Sequence, residues 1–363
     1  MSNASETPAA TEIVVASNEA FGPWLGEMGG SLVISCYQAG KIALVGWDGT
    51  DLTLHFRDFP RPMGMAVQGE RIAIGTLEEV VLLHNAPGLA AGALPEDNRA
   101  YDALYLPRVA YRTGEIAAHG LGFGKKGLWV VNTRFSCLAS LSDDYHFVPQ
   151  WKPPFITDLA PEDRCHMNGM AMIDGEPRFV TCLGTTDVAG TWRADKVTGG
   201  VVLSVPDGQV VCRGLTMPHT PRWYDKRLWV LNSGQGELGF VNPATQSLEV
   251  VCTLPGYLRG LCFLGPYAVV GMCRIREQHV FGGLPIASKF PELMCGLTVI
   301  DIRTGQPVAL LRFLSGCEEI FDVDFLPGVH RPAMLNPQHS DIHFCYTAPG
   351  RDWWRRDATP DKS

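Results

Sequence analysis

Two histidines occupy the same position in a repeated stretch, and imidazole is the side chain whose ordinary pKa best suits proton transfer and metal binding near neutral pH. The stretch runs from His119 to Asn132 (HGLGFGKKGLWVVN) and again from His219 to Asn232 (HTPRWYDKRLWVLN). In each copy the histidine stands nine residues before a Leu-Trp-Val run that ends in asparagine. A fixed spacing of this kind predicts a repeated structural unit.

Weaker copies of the stretch continue along the chain. Three of them have a second apolar run nine to eleven residues after the first residue of the copy, while the copy at Asp322 has none. The run Leu32–Cys36 near the start is the strand that this last copy lacks. The six equivalent positions, at which the chain enters the first strand of each copy, are Met63, His119, Asn168, His219, Arg259 and Asp322.

These copies predict the elements that position the polar residues. Each copy is typical of a β-hairpin, two further short strands follow it, and glycine-rich turns separate them. The 363 residues include 46% hydrophobic residues and 39 glycines, which suits many buried strands and tight turns. We therefore predict an all-β, six-bladed β-propeller with four-stranded blades. Its ring closes when strands within 31–59 pair with a C-terminal inner strand, Ile320–Leu326.

The same reasoning divides the chain into three parts. Residues 29–328 form the propeller, residues 1–28 are expected to be a loose N-terminal arm, and residues 329–363 an irregular tail. The insertion 274–294 opens on the face at which the chain enters the inner strands. Gly282 and Gly283 suggest a hinged lid over a ligand, while a surface loop with two packed phenylalanines explains the same residues.

Imidazole, carboxylate and amide groups at equivalent positions favour a divalent metal site at the mouth of the channel. The predicted ligands are His119, His166, Asn168, His219 and Asp322. Such a set suits iron, copper or zinc, and a bound metal would activate water or polarise a carbonyl group.

Further residues near the same mouth are predicted to act on a substrate. The guanidinium of Arg259 matches a carboxylate, and Glu319 is close enough in sequence to Asp322 to reach the channel, so these two are the catalytic candidates. The predicted substrate-binding residues lie in neighbouring loops: Asn132, Arg134, Asn232, Arg274 and Glu277.

Two functions agree with this pattern. The first is a metal-dependent hydrolase or oxidoreductase that acts on a small or peptidic substrate at the top of the channel. The second is a non-catalytic scaffold that binds a small ligand or a protein partner, since polar residues in a wet channel also form hydrogen bonds with ordered water.

Composition excludes several other classes. The formal net charge of −8 argues against nucleic-acid binding, which requires a basic surface. No apolar run reaches the length of a membrane span, and the first residues lack the basic and apolar regions of a signal peptide. Eleven cysteines without CxxC spacing fit reduced, buried side chains in a cytoplasmic protein. The GxGxxG match Gly122–Gly127 turns between two strands, so no nucleotide site is expected.

The predicted blades along residues 30–328 resemble the six-bladed propellers of the gluconolactonase, senescence-marker and strictosidine-synthase group. The segments 119–132, 165–171 (CHMNGMA), 217–232 and 316–328 (GCEEIFDVDFLPG) more closely resemble an uncharacterised bacterial family of propeller-like domains, sometimes fused to tetratricopeptide repeats. The lactonase resemblance implies a metal held by glutamate, asparagine and aspartate. Asn168 and Asp322 fit that set, whereas His119 and His219 depart from it, which argues against lactone hydrolysis.

Overall fold

The computed structural model describes residues 12–94, 97, 100–275 and 282–355. Six sheets succeed one another along these residues, and each contains a core of four antiparallel strands. The strands pair in sequence order in five of them, and in the first a strand from the end of the chain takes the innermost place. The protein is a six-bladed β-propeller, as the repeated hairpins predict. No helix of the described residues is long and apolar enough to cross a membrane.

The N-terminal segment is part of the propeller. Strand β1 (Val14–Ser17) pairs antiparallel with the outermost strand of the sixth blade, and helix α1 (Phe21–Met28) buries Phe21, Trp24 and Leu25. The helix packs on the ring of Trp47, which a Cβ atom at Gly22 would approach to 2.3 Å. The predicted loose arm is therefore wrong for residues 12–28, while residues 1–11 lie outside the described part.

Blades one to three contain the first twelve strands. Three strands of blade one are β2 (Gly30–Cys36), β3 (Lys41–Trp47) and β4 (Leu52–Asp58). Blade two contains β5 (Met65–Gln68), β6 (Arg71–Gly75), β7 (Glu79–Asn85) and β8 (Ala103–Arg112), with helix α2 (Pro87–Ala90) between the last two. Blade three contains β9 (Ala118–Gly124), β10 (Gly127–Asn132), β11 (Cys137–Ser140) and β12 (Val148–Trp151).

Blades four to six continue the same order. Blade four contains β13 (Met167–Ile173), β14 (Glu176–Cys182), β15 (Gly200–Ser204) and β16 (Val210–Leu215). Blade five contains β17 (Pro218–Tyr224), β18 (Arg227–Asn232), β19 (Glu237–Asn242) and β20 (Ser247–Thr253). Blade six contains β21 (Tyr257–Leu264), β22 (Tyr267–Cys273), β23 (Gly296–Asp301) and β24 (Gln306–Ser315), with helix α3 (Ile286–Lys289) after β22.

Strand β25 (Ile320–Pro327) closes the ring. It pairs antiparallel with β2 and places Asp322 opposite Ser35 and Pro327 opposite Gly30. The first blade therefore combines three strands from the start of the chain with one from its end, as predicted.

The C-terminal segment is more regular than expected. Strand β26 (Pro332–Met334) pairs parallel with β8 and covers the outer edge of blade two. Strands β27 (Cys345–Ala348) and β28 (Arg351–Trp354) form a hairpin, and the Trp354 indole donates a hydrogen bond to Leu89 of α2 at 3.2 Å. The predicted irregular tail is wrong for residues 332–334, 345–348 and 351–354, because these strands pair with each other or with a blade edge that would otherwise be open.

Burial on both faces of each sheet holds the blades together. All seven residues of β2 are buried, which is expected for a sheet packed between two others. The inner strands approach one another closely at glycines that follow entry residues. A Cβ atom at Gly64 would lie 2.6 Å from the His119 carbonyl oxygen, and Gly260 adopts a left-handed φ of 76° beside Val323. These contacts bring the entry residues of neighbouring blades together at the channel mouth.

Candidate functional site at the channel mouth

A backbone kink precedes four of the six inner strands. Arg61, Ala117, His166 and Met217 have φ values of 44°, 52°, 48° and 49°, in a region that non-glycine residues rarely adopt. Each stands two residues before a predicted entry residue. Strained backbone of this kind is maintained only where the surrounding structure fixes it, and it occurs often at functional sites.

The kink fixes the tautomer of two entry histidines. The Nδ1 atom of His119 lies 3.0 Å from the Ala117 carbonyl oxygen, and Nδ1 of His219 lies 2.9 Å from that of Met217. A carbonyl oxygen only accepts, so Nδ1 carries the ring proton and donates it. In the neutral ring, Nε2 is then an acceptor, and Nε2 of His219 is buried without a hydrogen-bond partner in the described structure.

His166 is the third imidazole of the group. Its Nδ1 lies 2.8 Å from Oδ2 of Asp163, and its ring centroid lies 5.0 Å from that of His119. The Trp192 ring packs on its other side, with centroids 4.5 Å apart, and donates a hydrogen bond to the same carboxylate at 3.2 Å. His166 therefore belongs to the site, and Asp163 and Trp192 hold its ring.

Arg259 supplies positive charge beside these rings. Its guanidinium carbon lies 4.7 Å from the Phe321 ring centroid and 5.8 Å from that of Tyr257, within the range of cation–π attraction. Its Nε atom is buried without a hydrogen-bond partner, and no carboxylate of the described residues forms an ion pair with it. Tyr257 links the two sides of the site, since its hydroxyl oxygen lies 3.4 Å from Nδ1 of His219.

A narrow pocket opens between Arg259 and the start of the insertion. Its walls are formed by Tyr257, Arg259, Cys273, Arg274, Ile275 and Glu319. The free volume of about 10 Å³ is sufficient for roughly one water molecule. Three predicted residues, Arg259, Arg274 and Glu319, thus line one pocket.

Burial keeps the two entry imidazoles neutral. It lowers the pKa of His119 well below its usual value, and the charges of His166 and Arg259 lower it further. Burial likewise lowers the pKa of His219, followed by the effect of Arg259. The site therefore presents neutral acceptor nitrogens next to a permanent cation.

The two repeated asparagines have structural roles. Asn132 accepts a hydrogen bond from the Phe135 amide at 3.1 Å. Asn232 accepts one from the Thr216 amide at 2.7 Å and donates one to Glu237 at 2.8 Å. Both side chains brace the loop after the second strand of their blade, and Nδ2 of Asn132 is buried without a hydrogen-bond partner in the described structure.

Two predicted metal ligands also form hydrogen bonds within the protein. Asn168 donates to the Pro218 carbonyl at 3.0 Å and accepts from the Thr181 hydroxyl at 2.7 Å. Asp322 accepts from the Met65 and Val323 amides at 3.1 and 3.0 Å, and its Oδ1 lies 3.3 Å from Nη2 of Arg222. The bonds from Asn168 to Pro218 and from Met65 to Asp322 join neighbouring inner strands.

The remaining predictions lie away from the pocket or outside the described residues. Arg134 forms an ion pair with Glu115 at 3.5 Å and lines a separate groove with Phe135 and His146. Glu277 lies outside the described residues, and the predicted lid is described only in part. Its Phe290 packs against the core.

Sequence reasoning missed four residues of the site: Asp163, Trp192, Tyr257 and Phe321. Phe321 lies beside His119, since the centroids of the two rings are 5.0 Å apart, whereas the Asp322 side chain bonds to the Met65 and Val323 amides. Asp163 could have been predicted as a partner of His166 from the sequence, although only weakly, because it stands three residues before that histidine.

The described residues contain no group of three or more histidine, cysteine, aspartate or glutamate side chains arranged to hold a metal ion. Metal binding therefore stays a prediction. The three histidines agree with it in one respect, because metal-binding imidazoles usually donate their other nitrogen to a carbonyl or carboxylate.

Taken together, the fold and the site define a six-bladed propeller with neutral imidazoles and a cation at one end of its channel. Residues 19–335 match the family described as a domain of unknown function, DUF4915, and the chain belongs to that family. No curated protein matches the chain.

Comparison with solved structures finds matches of low sequence identity. One is a nidogen/laminin complex chain, with a TM-score of 0.52 and 8% identity over 83% of this chain and 99% of that one. Another is the Pan2 WD40 domain of Neurospora crassa, with a TM-score of 0.39 and 13% identity over 70% of this chain and 66% of that one. The first likeness supports the fold alone, and the lactonase resemblance stays an expectation.

Proposed function

We propose that the channel mouth binds a small organic acid that carries a hydrogen-bond donor close to its carboxylate, such as a hydroxy acid or an amino acid. One observation carries the proposal. A buried acceptor, Nε2 of His219, and a buried cationic donor, Nε of Arg259, both lack partners in the described structure, and both residues contact Tyr257 through other atoms.

The energetics favour a ligand with two kinds of group. A buried polar atom without a partner costs about 1–3 kcal/mol, so a ligand that satisfies both atoms recovers part of that cost. A carboxylate suits the planar guanidinium of Arg259, while a hydroxyl or ammonium group suits the lone pair of His219. Phe321, Tyr257 and Trp192 enclose the site and strengthen these polar contacts by excluding water.

Ligand entry requires side-chain movement. The pocket at Arg259 admits about one water molecule, and Arg259, Arg274 and Glu319 are only partly buried. These long side chains are the groups that we expect to move when a ligand binds.

The test is a binding panel measured by thermal shift and calorimetry. The panel contains small 2-hydroxy and 2-amino acids, the matching amides, and the matching acids without the 2-substituent. We expect the first group to raise the melting temperature, and both sets of matched compounds to have weaker effects. Removal of a charge-assisted hydrogen bond predicts a loss of about 10- to 100-fold in affinity for Arg259→Ala.

Arg134→Ala is the matched control, because Arg134 is an arginine that follows β10 in blade three and pairs with Glu115 away from the pocket. Its affinity for the ligand should equal that of the unaltered protein. A panel without any binder, or equal losses in both variants, would contradict the proposal.

A metal-dependent hydrolase or oxidoreductase is the second candidate. It is supported by the shared hydrogen-bonding of His119, His166 and His219, each of which engages Nδ1 and leaves Nε2 for another partner. Elemental analysis of the purified protein, supplied with iron, copper or zinc, tests it. Bound metal that is lost in His119→Ala/His219→Ala but kept in His84→Ala would support it, whereas equal metal contents would not.

A further inference from the structure

Four cysteines that are distant in sequence meet where the sixth blade joins the first. Cys36 ends β2, Cys273 ends β22, Cys295 immediately precedes β23, and Cys317 lies in the connection from β24 to β25. All four are buried and belong to one apolar cluster.

The backbone holds these thiols around Ile320. Cys36 lies opposite Ile320 in the pairing of β2 with β25, and the Cys273 sulfur lies 3.0 Å from the Ile320 carbonyl oxygen. Cys317, three residues before Ile320, lies in the same buried cluster as Cys36 and Cys295, and its thiol is close enough to both to raise the pKa of each. Cys317 is thus the common neighbour of two thiols.

We infer that Cys317 and Cys36 form a disulfide bond under oxidising conditions and thereby join the two ends of the ring covalently. Of the two neighbours of Cys317, Cys36 lies on a strand from the start of the chain, and the β2–β25 ladder fixes its backbone beside the connection that carries Cys317. A bond to Cys36 therefore links the start of the chain to its end, whose union otherwise depends on the non-covalent pairing of β2 with β25.

The chemistry balances with hydrogen peroxide as the oxidant. The Cys317 sulfur attacks peroxide, the O–O bond breaks, and a sulfenic acid forms with release of one water molecule. The Cys36 sulfur then attacks the sulfenic sulfur and displaces a second water molecule. Two thiols are oxidised by one peroxide, and both thiol protons leave in the water formed.

The surroundings set the rate of this reaction. The hydrogen bond to Cys317 and burial raise the pKa of Cys36, so the thiolate is scarce at neutral pH and oxidation is slow. A purely structural role, in which the thiols only fill space, predicts no bond at all under conditions that keep the protein folded.

The experiment treats the folded full-length protein with hydrogen peroxide at pH 8, removes the peroxide with catalase, and then alkylates the remaining thiols in denaturant. Peptide mapping should identify a Cys36–Cys317 bond in the unaltered protein and in Cys295→Ser. The bond should be absent in Cys36→Ser. Oxidation should also raise the melting temperature by several degrees, since it closes a very long loop.

Complete alkylation of Cys36 and Cys317 after peroxide treatment would overturn the inference, as would a bond from Cys317 to Cys295 instead. The mapping in the unaltered protein decides between these results even if Cys36→Ser fails to fold. None of these outcomes depends on ligand binding at the channel mouth.

Discussion

Polar residues near the channel mouth divide into those that brace the backbone and those whose buried polar atoms have no partner in the described structure. Asn168, Asn232 and Asp322 belong to the first kind, because backbone amides or carbonyls engage their side chains. His219 and Arg259 belong to the second. The distinction matters for function, since a braced side chain has little capacity left for a ligand.

Asn232→Ala tests this division at the residue scale. The change leaves the buried Thr216 amide without its acceptor, and we expect the free energy of unfolding to fall by about 1–3 kcal/mol. Urea denaturation measures the loss. Affinity for an acid found in the binding panel should stay unchanged, so a stable variant that no longer binds would contradict the structural role.

At the scale of elements, a kink and a strand act together. The left-handed residues Ala117 and Met217 turn the chain into β9 and β17 and also direct the carbonyl groups that fix the tautomers of His119 and His219. Because this arrangement recurs in separate blades, the histidines of the two similar sequence stretches form the same hydrogen bond through Nδ1.

A different element, β26, is held to blade one by His55. Its Nε2 lies 3.1 Å from the Met334 carbonyl oxygen and 3.2 Å from Nη2 of Arg57. Burial lowers the pKa of His55 to about 4, Arg57 and His339 act in the same direction, and Asp97 opposes them.

This pKa predicts a loss of stability in acid. Between about pH 6.5 and pH 4 the unfolded chain binds a proton at His55 that the folded protein excludes, so the free energy of unfolding falls as pH falls through this window. The full effect is about 3 kcal/mol. Urea denaturation between pH 7 and pH 4 measures it.

His55→Gln provides the comparison, because other groups also titrate in acid. The variant lacks the titrating imidazole, so its stability should fall by less over the same range. Parallel curves for the two proteins would show that His55 does not contribute.

At the scale of the whole molecule, closure depends on β25. This strand pairs with β2 over Gly30–Cys36, and Asp322 and Asp324 accept hydrogen bonds from the Met65 and Val67 amides of blade two. One strand therefore connects the end of the chain with two blades near its start.

Truncation after Ser315 removes β25, and we expect the product to lose its cooperative thermal transition, because three buried strands of blade one and the inner edge of blade two lose their partner. Truncation after Asn336 is the control, since it keeps β25 and β26 and removes the residues after them, which include the hairpin of β27 and β28. Circular dichroism melting measures both. A cooperative transition in the shorter protein would contradict the closure model.

The number of blades, the closure of the ring and the burial of most cysteines could be predicted from local patterns in the sequence. Hairpin spacing and glycine-rich turns depend on neighbouring residues, so the sequence alone indicates them. The ends of the chain were harder to predict. Residues 14–17 and 332–334 form strands only because β24 and β8 offer open edges, and short segments carry little local signal for such pairing.

The sequence by itself determined that six similar units exist and that His119, His219 and Arg259 occupy equivalent places in three of them. Only the tertiary structure decided which polar atoms remain without partners, that Phe321 rather than Asp322 adjoins His119, and that Asp163 holds His166. The physical reason is that hydrogen bonding and burial at the axis depend on contacts between blades. Those contacts are set by the closure of the ring, which no single repeat encodes.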